Sequence, residues 1–330
     1  MLSFLIALAM PSPVATAREV PFVGHGGFQL KGELMLPSGE GKFPAILLMP
    51  GSGPTDRNGN QPPTLVTDAL KQIAEDMAKN GIATFRFDKR AAHVYRNAWP
   101  KPEAFGEFFA WTPFVEDALA AYRAMAGQKE VDAARLGVAG HSEGGSIALA
   151  LHGRFAASET PTATMLLAAP GRTIDAVLDD QITRALRVQN APDELSDTIM
   201  ANLRETTKAI AATGQVPSNV HPGLRALFPP YIGAYYKGWL NFDPVDAAKK
   251  AKGAFLVVNG AMDIQISPDR DAKALHTALA TRSGGVQELV ILPGTSHNLK
   301  KVQSESEPGF GGPLTPEFMD AFRKFVKERL

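Results

Sequence analysis

The stretch that most constrains this chain is Gly140-His141-Ser142-Glu143-Gly144. A short apolar run, Leu136 to Ala139, precedes it, and a helical run, Ser146-Ile-Ala-Leu-Ala-Leu151, follows at once. The pattern reads as strand, tight turn and helix, with Ser142 at the turn. Such a turn needs glycine two residues before and two residues after the serine. Only a missing Cβ lets the two arms pass so closely while the serine is held in a strained conformation. The helix that starts near Gly144 aims its unpaired N–H groups and the positive end of its dipole at the same spot. An oxygen that becomes negative beside Ser142 is stabilised there, which makes Ser142 the candidate nucleophile.

The rest of the chain supplies the matching frame. Val20–Val23 and Phe28–Leu36 read as a hairpin through Gly24-His25-Gly26-Gly27. Phe43–Met49 is a continuous apolar run, as a strand buried on both faces requires, and it ends at Pro50-Gly51-Ser52-Gly53-Pro54. From Leu65, Val66, Ala69, Leu70, Ile73 and Met77 fall at helical spacing up to Asn80-Gly81. Ile82–Phe87 is the next buried strand, Arg90–Phe109 an irregular loop, and Phe114–Met125 an amphipathic helix. After Ser142 the helix runs to Phe155 and a strand spans Thr162–Ala168. The alternation resumes with strand Ala254–Asn259, helix Asp269–Ala280, strand Val286–Leu292 and helix Glu317–Leu330. This order predicts an α/β chain with a mostly parallel, doubly wound sheet and helices on both faces. Residues 171–252 carry no strong strand and read as a helical cap inserted into a core formed by 18–170 and 253–330.

Lysine plus arginine equals aspartate plus glutamate, 34 of each, without long runs of either sign. Electrostatic attachment to nucleic acid or to anionic lipid is therefore disfavoured. The chain has no cysteine, which excludes a thiol nucleophile, disulfides and thiolate zinc sites. Residues 1–17 combine a short apolar run, Leu2–Met10, with Ala15-Thr16-Ala17 at the spacing of a cleavage site, though no basic residue precedes the run. They read as a signal peptide cleaved after Ala17, and so as a secreted or periplasmic protein, cytoplasmic if the segment is retained. The run is too short to span a bilayer.

A serine hydroxyl needs a neutral imidazole to take its proton, and that imidazole needs a carboxylate to fix its tautomer. Asp263 follows the strand Ala254–Asn259, and His297 follows the strand ending at Leu292. Both sit on loops where a parallel sheet presents its chemistry. Of the seven histidines only His93 shares such a position, so it is the rival base. Asp243 and Asp246 are the rival acids. The glycine loop at 51–53 is not a phosphate cradle, because no P-loop lysine follows and Asp56 stands where a dinucleotide fingerprint needs its third glycine.

These residues resemble the α/β-hydrolases, in the bacterial serine esterase branch related to dienelactone hydrolases and S9-type peptidases. The resemblance spans roughly Arg18 to Leu330. It rests on His141 before Ser142 and Glu143-Gly144-Gly145 after it, on the Gly-Ser-Gly-Pro-x-Asp-Arg loop from Gly51 to Arg57, and on Phe87-Asp88-Lys89-Arg90. After that last motif the family usually has glycine, and this chain has Ala91-Ala92. The resemblance implies the chain order serine, acid, histidine, hence the triad Ser142, Asp263 and His297. It also implies an oxyanion hole made by the backbone N–H of Glu143 and of Ser52, with Gly53 the neighbouring alternative. Asp56 and Arg57 are expected to pin the loop, and the His141 and Glu143 side chains to serve packing and the turn, with Glu143 able to face the pocket.

The expected activity is cleavage of small carboxylic esters through an acyl-enzyme on Ser142, without metal or cofactor. A peptidase, lactonase or acyltransferase with the same triad is the alternative, and a binding protein on a hydrolase scaffold a more distant one. Aromatic residues around Trp99–Trp111 and Tyr231–Trp239 either line the pocket or pack the cap on the core.

Overall fold

The apolar runs become the centre of one sheet. In the computed structural model, which describes residues 15–330, eight strands pair in the order β1-β2-β4-β3-β5-β6-β7-β8. They are β1 (Thr16–Val23), β2 (Gln29–Leu36), β3 (Phe43–Met49), β4 (Ala83–Phe87), β5 (Val131–His141), β6 (Ala163–Leu167), β7 (Ala254–Gly260) and β8 (Gln287–Leu292). β1, β2 and β4 pair antiparallel, and every pair from β4 to β8 is parallel. The first fourteen residues of the expected leader lie outside the described residues; Thr16 and Ala17 open β1.

Period-two alternation assigns the faces. On β3, Ala45, Leu47 and Met49 join one core, and Ile46 and Leu48 join the other. The second core is closed by α1 (Ala69–Lys79) and the terminal helix α10 (Pro316–Arg329), through Ile73, Met77, Phe318 and Phe322. The first is closed by α3 (Trp111–Ala126), α4 (Glu143–Leu151), α8 (Pro244–Lys250) and α9 (Lys273–Ala280). Between β6 and β7 the chain forms α5 (Ile174–Val188), α6 (Asp193–Thr213), α7 (Gly233–Leu240) and then α8.

Several boundaries differ from the sequence reading. α1 starts at Ala69, four residues after Leu65, because the Asn60 side chain accepts from the N–H groups of Thr67 and Asp68, at 2.8 Å each, and Asp68 adopts a left-handed φ of 49°. α4 stops at Leu151, where His152 turns its ring to Thr164 (Nε2 to Oγ1, 3.0 Å). The stretch expected as plain loop contains a 3-10 turn, His93–Ala98, and one helical turn, α2 (Phe105–Phe108).

Candidate active site

β3, β4, β5, β7 and β8 all deliver a loop to the same edge of the sheet, because parallel strands end together. At the end of β5, Ser142 adopts φ 55° and ψ −122°, a conformation non-glycine residues rarely hold. A Cβ on Gly140 would collide with the backbone of Gly144, and one on Gly144 with the carbonyls of Met49 and Pro50. The two glycines therefore permit the crossing that lifts Ser142 out. The Ser142 N–H is held by Leu167 O at 2.9 Å, and its carbonyl receives the Gly145 N–H at 2.8 Å.

The acid and base loops meet. His297 Nδ1 lies 2.8 Å from Asp263 Oδ2, and both side chains are buried. Asp263 Oδ1 also accepts from the N–H groups of Gln265 (2.8 Å) and Ile266 (2.9 Å). Asp263 thus shapes its own turn and holds the imidazole. Since a carboxylate only accepts, Nδ1 carries the proton and Nε2 is left as the basic nitrogen. The His297 loop is pinned to the serine turn through His141, whose Nε2 donates to His297 O at 2.9 Å with the rings 4.8 Å apart. Burial and the neighbouring His297 pull the His141 imidazole down to about 4, so it stays neutral and its tautomer is fixed by that carbonyl. The Ser142 hydroxyl makes no hydrogen bond to His297 or to any other described residue.

The rival residues stand elsewhere. Asp243 caps α8 by accepting from the N–H groups of Val245 and Asp246, and Asp246 pairs with Lys250. His93 is exposed on its 3-10 turn and lines the cavity described below, with no acid beside it among the described contacts.

The loop after β3 faces the serine. A Cβ on Gly51 would lie 3.4 Å from the Ser142 Cβ. The Ser52 carbonyl is held by Thr55 Oγ1 and Gln61 Nε2, at 2.7 Å each. The N–H groups of Ser52, Gly53 and Glu143 have no acceptor among the described residues. Farther along, Asp56 Oδ1 accepts from the N–H groups of Asn58 and Asn60, and the Arg57 guanidinium pairs with Asp88 (Nε to Oδ2, 2.8 Å). Both residues therefore pin the loop.

Sequence reasoning missed the company Glu143 keeps. Its carboxylate is fully buried, 2.9 Å from Lys89 Nζ and 2.7 Å from the Tyr235 hydroxyl on α7. Lys89 Nζ also donates to Gly51 O at 3.0 Å and lies over the Phe114 ring at 4.9 Å. The Phe87-Asp88-Lys89-Arg90 motif was visible, but no local spacing says that Lys89 reaches a residue 54 positions away. Next to it, Arg90 grips Asp117 through two bonds of 2.7 Å. It also stacks on Phe108 and receives the Trp99 indole N–H on its carbonyl, which shapes the wall that Ala91-Ala92 left open.

Ser142 opens into a cavity of about 590 Å³. Ser52 and Gly53 border it, Trp99, Phe105 and Phe109 form one wall, and Ile174, Val177, Leu178, Tyr235 and Trp239 from α5 and α7 form another. The aromatic set is split between roles: Trp111 stacks on Trp239 at 5.5 Å and Phe108 packs on Phe28, neither of them bordering the cavity. Among the described residues no acid borders it; its charged neighbours there are Lys89, already paired, and the exposed Arg96.

A family described as having the alpha/beta hydrolase fold matches residues 112–223, the segment that contains the serine turn. The chain is 24% identical over 279 residues to Esterase EstD of Thermotoga maritima, covering 84% of this chain and 60% of that protein. Among solved structures, a Mycobacterium tuberculosis puromycin-hydrolyzing peptidase superposes over 98% of this chain and 42% of its own length, with TM-score 0.61 and 17% identity. Acetyl Xylan Esterase 1 from Thermoanaerobacterium sp. superposes over 98% of this chain and 86% of its own, with TM-score 0.56 and 18% identity. The sheet order, the serine turn and these matches show that the chain has the α/β-hydrolase fold. It spans less than two thirds of the esterase and less than half of the peptidase that it matches.

Proposed function

We propose that the protein is a serine hydrolase that cleaves carboxylic esters through an acyl-enzyme on Ser142. The observation that carries the reading is the His297–Asp263 bond on loops adjoining a strained, cavity-facing serine. In this reading His297 Nε2 takes the Ser142 proton as Oγ attacks the ester carbonyl. The Ser52 and Glu143 N–H groups receive the oxyanion, with Gly53 the alternative to Ser52. The protonated imidazole then passes its proton to the leaving alcohol, and water repeats the sequence on the acyl group. The helices between β6 and β7 act as a cap that supplies the pocket wall.

An ester is favoured over a peptide with a free amino end by the cavity lining. A buried ammonium needs a carboxylate or a set of acceptors, and no acid among the described residues borders this pocket. The relative from Thermotoga maritima is named an esterase, which supports the same choice. Residues 1–17 as a cleaved leader, with export, complete the proposal; N-terminal sequencing of the protein recovered from the producing cell checks it.

The test is turnover of a short p-nitrophenyl ester. Ser142→Ala is expected to lower kcat by ~10³-fold or more, and a fluorophosphonate to label the wild type on Ser142 only. Unchanged turnover in that variant overturns the mechanism.

A further inference from the structure

The Gly51 carbonyl and the Ser52 N–H belong to one peptide unit, and in a trans peptide they point in opposite directions. A group that fixes the carbonyl therefore aims the N–H. Lys89 Nζ does so at 3.0 Å. The same ammonium holds the side chain of Glu143, the residue that offers the second N–H, at 2.9 Å. Tyr235 bonds the other carboxylate oxygen at 2.7 Å, and its ring borders the cavity. Lys89, Glu143 and Tyr235 come from the end of β4, the serine turn and α7, and each is less than a tenth exposed.

We propose that the Lys89–Glu143 ion pair is the positioning device of the oxyanion hole. One ammonium aims the Ser52 N–H and fixes the Glu143 residue, and Tyr235 links that pair to α7, which borders the cavity. An ammonium on the carbonyl also withdraws charge from the peptide and makes its N–H the stronger donor. This rests on the serine hydrolase reading above. Lys89 and Glu143 carry no proton to or from the substrate; they act through the backbone groups they hold.

A purely structural ion pair predicts something different. Removing one partner leaves a buried charge uncompensated and destabilises the fold, whereas removing both with side chains of similar shape relieves it. The decisive comparison is Lys89→Met, Glu143→Gln and the double variant, read by thermal melting, by kcat and KM on a p-nitrophenyl ester, and by affinity for an aryl boronate that forms a tetrahedral adduct on serine. Positioning predicts that the double variant recovers the melting temperature lost in the single variants. Its kcat should nevertheless stay ~10²-fold down, with boronate affinity falling in step. KM should move by less than ~3-fold, because ground-state binding does not use the hole. Tyr235→Phe should lower kcat by ~5-fold, the share of one hydrogen bond.

If the double variant regains both stability and kcat, the pair is structural and the inference falls. A full loss of boronate affinity with kcat intact overturns it as well. Should either single variant fail to fold, the double variant still decides between the two outcomes. The serine hydrolase reading is judged apart from this, by wild-type turnover and its loss in Ser142→Ala.

Discussion

At the residue scale the site is held by groups that have one orientation each. Asp263 accepts two backbone N–H groups on one oxygen and the His297 ring on the other, so the carboxylate cannot rotate away from the imidazole without breaking the turn. Asp263→Asn should keep the fold, because the amide oxygen can still accept from the backbone. It would present N–H to Nδ1 and select the wrong tautomer, and kcat should fall by ~10³-fold or more with little change in KM. Steady-state kinetics checks both. The half-buried His141 and His152 give a pH effect. Burial lowers His141 and His152 from 6.5 to about 4 in the folded chain. The unfolded chain therefore binds more protons as pH falls through 6.5, and stability is lost between about pH 6.5 and 4. At pH 5 each should cost on the order of 2 kcal/mol relative to pH 7. Urea melts at the two pH values measure the loss, and His152→Gln should remove about half of it.

At the element scale the two faces of the sheet divide labour. α1 and α10 cover the face whose core residues border no part of the cavity. Phe322 on α10 is fully buried there. Phe322→Ala should cost ~3–5 kcal/mol of stability and leave KM unchanged, as denaturant melts and kinetics would show. On the opposite face the elements border the cavity as well as pack the core. Residues such as Val177 and Tyr235 sit in the core cluster and border the cavity at once, so changes there should move KM and stability together. The left-handed Asp68 illustrates what an element boundary needs beyond periodicity. Val66 fits the helical spacing, yet it is exposed and outside α1, because Asn60 ties the preceding backbone into the loop.

At the scale of the whole molecule the balance of charge is zero, but its distribution is not even. The cavity gathers apolar and aromatic side chains, keeps acids away from its lining, and has Arg96 on its border without an ion-pair partner among the described residues. An ester whose acyl group carries a free α-ammonium should be hydrolysed with kcat/KM at least ~10-fold below its desamino analogue, since desolvating the cation has no compensation there. A paired assay of the two esters at one pH tests this. Preference for the amine would instead support the peptidase alternative.

By itself the sequence determined the strained serine turn and the α/β alternation. The glycines at 140 and 144 and the apolar runs of β3, β4, β6 and β7 act locally, through steric clearance and through burial on two faces. It also offered Asp263 and His297 as candidates, because strand ends in a parallel sheet share one edge. Only the tertiary structure decided which side chains meet across long separations. Lys89, Glu143 and Tyr235 lie 54 and 92 positions apart along the chain and make a single buried cluster. No periodicity encodes such a contact. It exists because the strand order brings β4, β3 and β5 side by side, and because α7 folds back over their ends.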